Sequence, residues 1–241
     1  IAFGLNHSWF MGRRADTLHK PAVVMADSNL LIHKLLTHAY SQRLEPNITV
    51  CCPTYRRPEL LGKMIYSFQQ QTYLYKAMLI LDDEKPKPDY SLDRCVIKHS
   101  YRYPTLGAKR NAMVKMLEDS STDAIAMWDD DDLYMPWALE ALAVSLRRAD
   151  WVRASQALVR HGTTNFLPVL SYSRQDKSDK AFHPAWAYSV AAFKASGGYP
   201  SELSLGEDLG LARKFRDLRL SESDPIELGY PPYAVFGPWE N

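Results

Sequence analysis

Ala124-Ile-Ala-Met-Trp-Asp-Asp-Asp-Asp132 is the stretch on which the fold turns. An unbroken apolar run is followed directly by four carboxylates. Such a run suits a strand covered on both faces, as in a parallel sheet between layers of helices. The aspartates then mark the carboxyl end of the strand, where open α/β sheets bind their ligands. Two other segments have the same form. Ile48-Thr-Val-Cys-Cys52 stops at Pro53, and Ala77-Met-Leu-Ile-Leu81 stops at Asp82 and Asp83. Cys95 to Ile97 reads as a further short strand.

Helical spacing fills the intervals. Pro58 opens a helix whose apolar face is Leu60, Leu61, Met64, Ile65 and Phe68. A second helix is expected over Leu106 to Leu117, with Ala108, Ala112, Met113 and Met116 turned inward. Pro136 starts a third, with Leu139, Leu142, Ala143 and Leu146 one or two turns apart. This alternation predicts an α/β fold with a Rossmann-like, mostly parallel central sheet and helices on both faces.

Beyond Asp150 the pattern loosens. Trp151 to Val159 and Trp186 to Phe193 read as strands, and Ser171 to Lys180 as a polar loop. Leu205 to Phe215 reads as a helix with acids at its start and cations later, matching the helix dipole. The expected organisation is an N-terminal helical extension over 1–46, a domain over 47–224 and a tail over 225–241. The extension, with Leu31, Ile32, Leu35, Leu36 and Ala39 at helical spacing, is read as belonging to a longer protein. The domain divides at residue 150 into two halves.

Composition narrows the classes. The chain has 241 residues, 46% hydrophobic and 24% charged, which suits a sizeable core and excludes a disordered or collagen-like chain. Lys and Arg number 29 against 28 Asp and Glu, so no general basic field holds nucleic acid or an anionic membrane. No apolar run approaches the ~20 residues of a membrane-spanning helix. Three cysteines, two of them adjacent in a strand, read as buried thiols, and a cytoplasmic location is expected.

The candidate chemistry follows the strand ends. Four adjacent carboxylates repel one another unless a cation or donors neutralise them. All-oxygen ligation suits Mg²⁺ or Mn²⁺, against the alternative of a solvated acidic turn. Gly107-Ala-Lys-Arg-Asn111 opens a helix with two cations, which with a carboxylate-bound metal describes a diphosphate site. Glu207 and Asp208 begin the last helix. Asp208 serves either as a general base or only as a complement to the helix dipole. His183 and Trp186 are candidate pocket residues on the acceptor side, along with Glu207. No Gly-Lys-Ser/Thr phosphate loop, dinucleotide glycine fingerprint or Gly-x-Ser-x-Gly elbow is present.

Taken in order, Ile48-Thr-Val-Cys-Cys-Pro-Thr-Tyr-Arg-Arg-Pro58, Leu79-Ile-Leu-Asp-Asp83, Gly107-Ala-Lys-Arg-Asn111, Trp128-Asp-Asp-Asp-Asp132 and Gly206-Glu-Asp-Leu209 resemble the family 2 nucleotide-sugar glycosyltransferases of GT-A fold. The resemblance covers about Asn47 to Leu218. It implies that Pro53, Tyr55 and Arg57 line the nucleotide site, that Asp82 and Asp83 contact the base, and that Lys109 and Arg110 lie near the phosphates. Asp129, Asp130 and Asp131 match the Asp-x-Asp motif, with Asp129 near the ribose and Asp131 on the metal. Asp208 matches the catalytic base of inverting members. Two departures stand out: loop two reads Asp-Asp-Glu-Lys where Asp-Asp-Gly-Ser is usual, and Arg56 stands where Asn is frequent.

The resemblance thus implies a metal-dependent transferase moving a sugar from a nucleotide-diphosphate donor, a UDP-sugar, to an acceptor hydroxyl with inversion. The acceptor is a glycan, lipid-linked sugar, protein or modified nucleic acid. Two rival readings are a non-catalytic module that binds nucleotide-sugar or glycan and a sugar nucleotidyltransferase. The second is disfavoured by Pro-Thr-Tyr-Arg-Arg-Pro in place of a Gly-rich loop after the first strand.

Overall fold

The computed structural model describes residues 45–161, 165–170 and 186–236, all within the unit Glu45–Asn241. The N-terminal extension up to Leu44, the polar loop from Ser171, His183 and the last five residues of the tail lie outside the described residues.

The three apolar runs become β1 (Ile48–Thr54), β2 (Lys76–Asp82) and β5 (Ala124–Met127), separated in sequence by β3 (Tyr90–Leu92) and β4 (Cys95–His99). β1 pairs in parallel with β2 on one side and β5 on the other, with Cys51 opposite both Leu79 and Met127. β2 pairs in parallel with β4. Both Cys51 and Cys52 are fully buried although they point to opposite faces, which is what burial of a sheet on both sides requires.

The sheet extends with β7 (Trp151–Arg153), β10 (Trp186–Ser189) and β11 (Glu222–Ser223), in the order β11-β7-β10-β5-β1-β2-β4-β3. β10 runs antiparallel to both β5 and β7, β11 pairs in parallel with β7, and β3 is antiparallel to β4, so β10 and β3 run against the remaining strands of the sheet. A second sheet orders as β6-β12-β8-β9, from β6 (Leu133–Tyr134), β8 (Gln156–His161), β9 (Asn165–Leu170) and β12 (Ala234–Phe236). Part of the C-terminal tail therefore adds a strand.

Among the described residues, five helices accompany the sheets: α1 (Pro58–Gln69), α2 (Leu106–Lys115), α3 (Ala138–Leu146), α4 (Val190–Ser196) and α5 (Glu207–Asp217). One face is a single apolar cluster in which Met113 and Val114 of α2, Phe193 of α4 and Leu211 and Phe215 of α5 pack on Cys51, Ile125, Trp151, Trp186 and Tyr188. α3 packs on β7 and β10 and buries Leu139 and Leu142 completely. A fully buried Leu side chain contributes about 1.5–3 kcal/mol by removal from water.

Local readings needed three corrections. Trp151 to Val159 is not one strand, because the chain leaves the main sheet at Ala154 and enters the second sheet at Gln156. Trp186 to Phe193 is strand only to Ser189. The Ser189 side chain then accepts the Ala192 N–H and starts α4, a capping role that its apolar neighbours hid. In α2 the inner face is not the alanine face: Met116 is 45% exposed, while Gly107, Lys109, Arg110, Met113 and Val114 are buried.

Candidate active site

Chain direction explains where the cleft opens. From β1 the chain passes through α1 to β2 on one side, while β5 enters on the other side of β1. Beyond the carboxyl ends of two strands whose connections leave in opposite directions, a crevice is left. It has a volume of about 420 Å³ and is lined by Pro53, Thr54, Tyr55 and Arg57 after β1, Asp83 after β2, and Asp129, Asp130 and Asp131 after β5. Lys109 and Arg110 of α2 close it, with Arg102 and Ser204 on its sides.

The aspartates are not equivalent, because each takes a different direction as the chain turns. Asp130 is buried and accepts from Thr54 Oγ1 at 2.6 Å and Arg57 Nη1 at 2.9 Å. Arg57 also reaches Asp131 at 3.0 Å, and Asp131 keeps 42% of its side chain exposed. Asp129 accepts from Arg110 Nη2 at 3.0 Å. Burial, then the charges of Asp129, Asp131 and Asp130, push the Asp132 carboxyl up to about 9. Among the described residues no group of three or more His, Cys, Asp or Glu could cage a metal ion. The donor set instead fits an ion that takes one or two carboxylates and completes its shell with ligand oxygens and water, the habit of Mg²⁺. Asp131 faces the cleft with nearly half of its side chain in solvent.

Three consecutive residues of α2 knit the cleft together. Helical geometry turns each about 100° from the last, so they reach three different neighbours. Lys109 Nζ donates to the Thr54 carbonyl and to Asp83, both at 2.6 Å. Arg110 pairs with Glu207 at the start of α5 and with Asp129. Asn111 donates to the Tyr199 carbonyl and the Ser201 hydroxyl, both at 2.9 Å. The helix begins where Thr105 accepts the Ala108 N–H at 3.0 Å. At Gly107 a Cβ would lie 2.1 Å from the Pro200 carbonyl oxygen, so only glycine lets the two segments approach.

Lys109 and Arg110, expected near the phosphates, do line the cleft, but their charges are turned to the protein. Both are buried and already engage carboxylates of the protein. Asp83 is held the same way. Burial works to raise its pKa, but bonds from Lys109 and the Tyr103 N–H, with the charges of Lys109 and Arg102, outweigh that and hold it below the usual carboxylate range.

Other candidates separate by geometry. Asp83, the first residue past β2, lines the cleft, and Asp82, the last residue of the strand, does not. Asp82 instead accepts the Glu84 N–H at 3.0 Å and lies 3.6 Å from His99 Nδ1. Trp186 offers no aromatic face to an acceptor: it is fully buried, edge-to-face with Trp151 at 5.7 Å. Glu207 is likewise turned inward onto Arg110 and only 3% exposed, so it is no acceptor contact. Asp208, half-buried in the first turn of α5, accepts the Leu209 N–H.

Among the cleft residues outside the sequence candidates, two hold its charges in place. Thr54 passed as the end of a strand, although its hydroxyl holds Asp130. Arg102 lies in an irregular segment with no periodicity. Its guanidinium sits 3.8 Å from the Tyr55 ring centroid and 3.1 Å from Asp83. The cluster Tyr101-Arg102-Tyr103 just before a helix cap was the available signal.

Comparison with known proteins adds the following. The family described as glycosyl transferase family 2 matches residues 49–180, more than half of the chain. No curated protein sequence matches. The fold is similar to that of S. aureus TarS residues 1–349 in complex with UDP-GlcNAc, with a TM-score of 0.63 and 17% identity over 81% of this chain and 59% of that one. It is also similar to the mannosyltransferase PcManGT from Pyrobaculum calidifontis in complex with GDP-Man and Mn²⁺, with a TM-score of 0.56 and 12% identity over 91% of this chain and 67% of that one. The chain thus spans about 60% of the length of the TarS fragment.

Proposed function

The chain belongs to glycosyl transferase family 2, and on that premise we propose that it moves a sugar from a nucleotide-diphosphate donor, a UDP-sugar, to an acceptor hydroxyl with inversion at the anomeric carbon. The observation that carries this reading is the cleft at the ends of β1, β2 and β5, where an aromatic shelf, a half-exposed arginine and an acidic run converge. Tyr55, with Arg102 laid on its ring, supplies a flat cationic surface on which a base stacks. Pro53 borders it. Asp83 supports that surface through Arg102 and Lys109 rather than meeting the base directly.

Asp129 and Asp130 form the ribose and diphosphate floor, and Arg57 and Asp131 sit at its edge. Asp131 would hold Mn²⁺ or Mg²⁺, an ion that when bound screens the charge growing on the leaving diphosphate. Arg57 lies between Asp130 and Asp131 and is exposed enough to exchange a carboxylate for a phosphate oxygen. Asp208 accepts the proton of the acceptor hydroxyl as its oxygen bonds to the anomeric carbon. The bond from that carbon to the diphosphate oxygen breaks, and the nucleoside diphosphate leaves with the electron pair. Concerted transfer requires no unusual carboxylate pKa.

The half from 47 to 150 is assigned to the donor and that from 151 to 224 to the acceptor, a glycan, lipid-linked sugar, protein or modified nucleic acid. Among the described residues no helix is long and apolar enough to cross a membrane. Cys51, Cys52 and Cys95 are free and buried, which favours a reducing, cytoplasmic setting.

A thermal-shift panel of UDP, GDP, CDP and dTDP, each with and without Mn²⁺ or Mg²⁺, tests the proposal. Expected is a metal-dependent shift with UDP, lost in Asp131→Ala, since a ligand at a hundredfold excess over Kd adds about 2.7 kcal/mol. No shift with any nucleotide refutes the donor reading, and binding without sugar release for every acceptor favours a binding module.

A further inference from the structure

We propose that Arg110 is a positioning residue: one guanidinium fixes both Asp129 on the donor side and the start of α5 on the acceptor side, and so sets Asp208 against the donor before any ligand binds. The inference rests on the transfer reading above for the role of Asp208, and on geometry for the tie itself. Arg110 is 3% exposed, and its two terminal nitrogens diverge to Asp129 after β5 and to Glu207, the residue preceding Asp208. Its Nε is buried without a hydrogen-bond partner, so the side chain is stretched between the two acids rather than wrapped around one. The ring of Tyr199 lies 5.7 Å from its Cζ and backs it.

The segment leading into α5 is bracketed from the same helix start. The Gly107 N–H donates to the Leu203 carbonyl at 2.9 Å, and Thr105 Oγ1 donates to the Ser201 carbonyl. Asn111 Oδ1 accepts the Tyr199 N–H at 2.9 Å. Those contacts hold residues 199–203, whereas among the described residues Glu207 itself is joined to the strand ends through Arg110. Both terminal nitrogens engage carboxylates of the protein, so a phosphate would have to compete with Asp129 and Glu207 for the guanidinium.

The test compares the wild type with Arg110→Met, Arg110→Lys and the double variant R110M/E207Q, in which the acid left behind is neutralised. Hydrogen exchange is read over residues 203–212. UDP affinity is measured with Mn²⁺, and UDP release into water from UDP-glucose and UDP-N-acetylglucosamine gives kcat and KM. In R110M, exchange at the first turn of α5 accelerates by about tenfold or more as local opening becomes easier. Its kcat falls about 100-fold, the scale of an ångström-level misplacement, with KM and UDP affinity within about threefold.

R110K recovers part of kcat. R110M/E207Q regains thermal stability and not turnover, whereas a merely structural arginine would regain both. The proposal is overturned by unchanged exchange, by preserved kcat, or by loss of UDP affinity in step with kcat, which would put the role of Arg110 on the donor side, through Asp129 or the phosphates. Should the wild type bind no nucleotide, the transfer reading fails, and the exchange measurement alone judges the tie.

Discussion

Lys109 and Arg110 are 4% and 3% exposed, whereas Arg57, in the same cleft, keeps half of its side chain in solvent. The first two meet carboxylates that are themselves turned inward, Asp83 and Glu207, and the third reaches out to Asp131 at the rim. The difference separates two uses of charge. A buried ion pair gains little over an apolar pair, yet breaking it strands a charge away from water, so it holds geometry firmly. An exposed pair is worth about 0–1 kcal/mol and readily trades one partner for a ligand oxygen. The inward set builds the cleft, and the outward set is left to meet what enters it.

That contrast can be broken from either side. The largest effect is expected at Asp208, outside the inward set. Asp208→Asn should lower sugar transfer by about 10²–10⁴-fold, the range lost with a general base. Because the residue only complements a helix start, its stability should change by less than about 1 kcal/mol. Turnover assays alongside urea unfolding read both numbers, and retained transfer would remove Asp208 from the mechanism.

Lys109→Met should do the reverse. It leaves the buried Asp83 with the Tyr103 N–H and the exposed Arg102 in place of its buried cation, and a loss of about 3–5 kcal/mol in urea unfolding is expected. A loss under about 1 kcal/mol would place Lys109 with the outward set.

Acidification sharpens the same comparison. The folded-state pKa of Asp83 lies below its unfolded value, so its contribution is fully present above about pH 4 and is lost as pH falls through the depressed value. The stability gap between wild type and Asp83→Asn should therefore narrow as pH falls below about 4. A gap that stays constant across that window would show that Asp83 is not held charged by its partners.

The smallest effect concerns the backbone that presents Arg57. Arg56 has φ 56°, left-handed territory that Asn occupies more readily than Arg. Arg56→Asn should therefore gain up to about 1 kcal/mol in thermal unfolding, with nucleotide binding unchanged. Lost stability would mean that the contact between Arg56 and Glu84 at 3.6 Å outweighs the backbone term.

The strands β1, β2 and β5 were legible because burial on both faces leaves a continuous apolar run. The cleft was legible because parallel strands end on one side. Alternation alone could not tell that the stretch from Trp151 spans two sheets, since both of its pieces are strands. Nor could periodicity orient α2, whose mixed composition has no apolar stripe. Its register is decided by acids that arrive from elsewhere in the chain.

By itself, the sequence determined the α/β architecture, the end of the sheet where the cleft opens, and the presence there of Tyr55, Arg57, Asp83, Lys109, Arg110 and Asp129 to Asp131. These follow from short-range rules: runs, turns and spacing. Only the tertiary structure decided which charges are spent inside and which face outward. The partners of Lys109 and Arg110 lie 26 residues back at Asp83 and 97 residues on at Glu207. A charge's role depends on whether folding brings it an opposite charge and excludes water, and both are properties of neighbours in space.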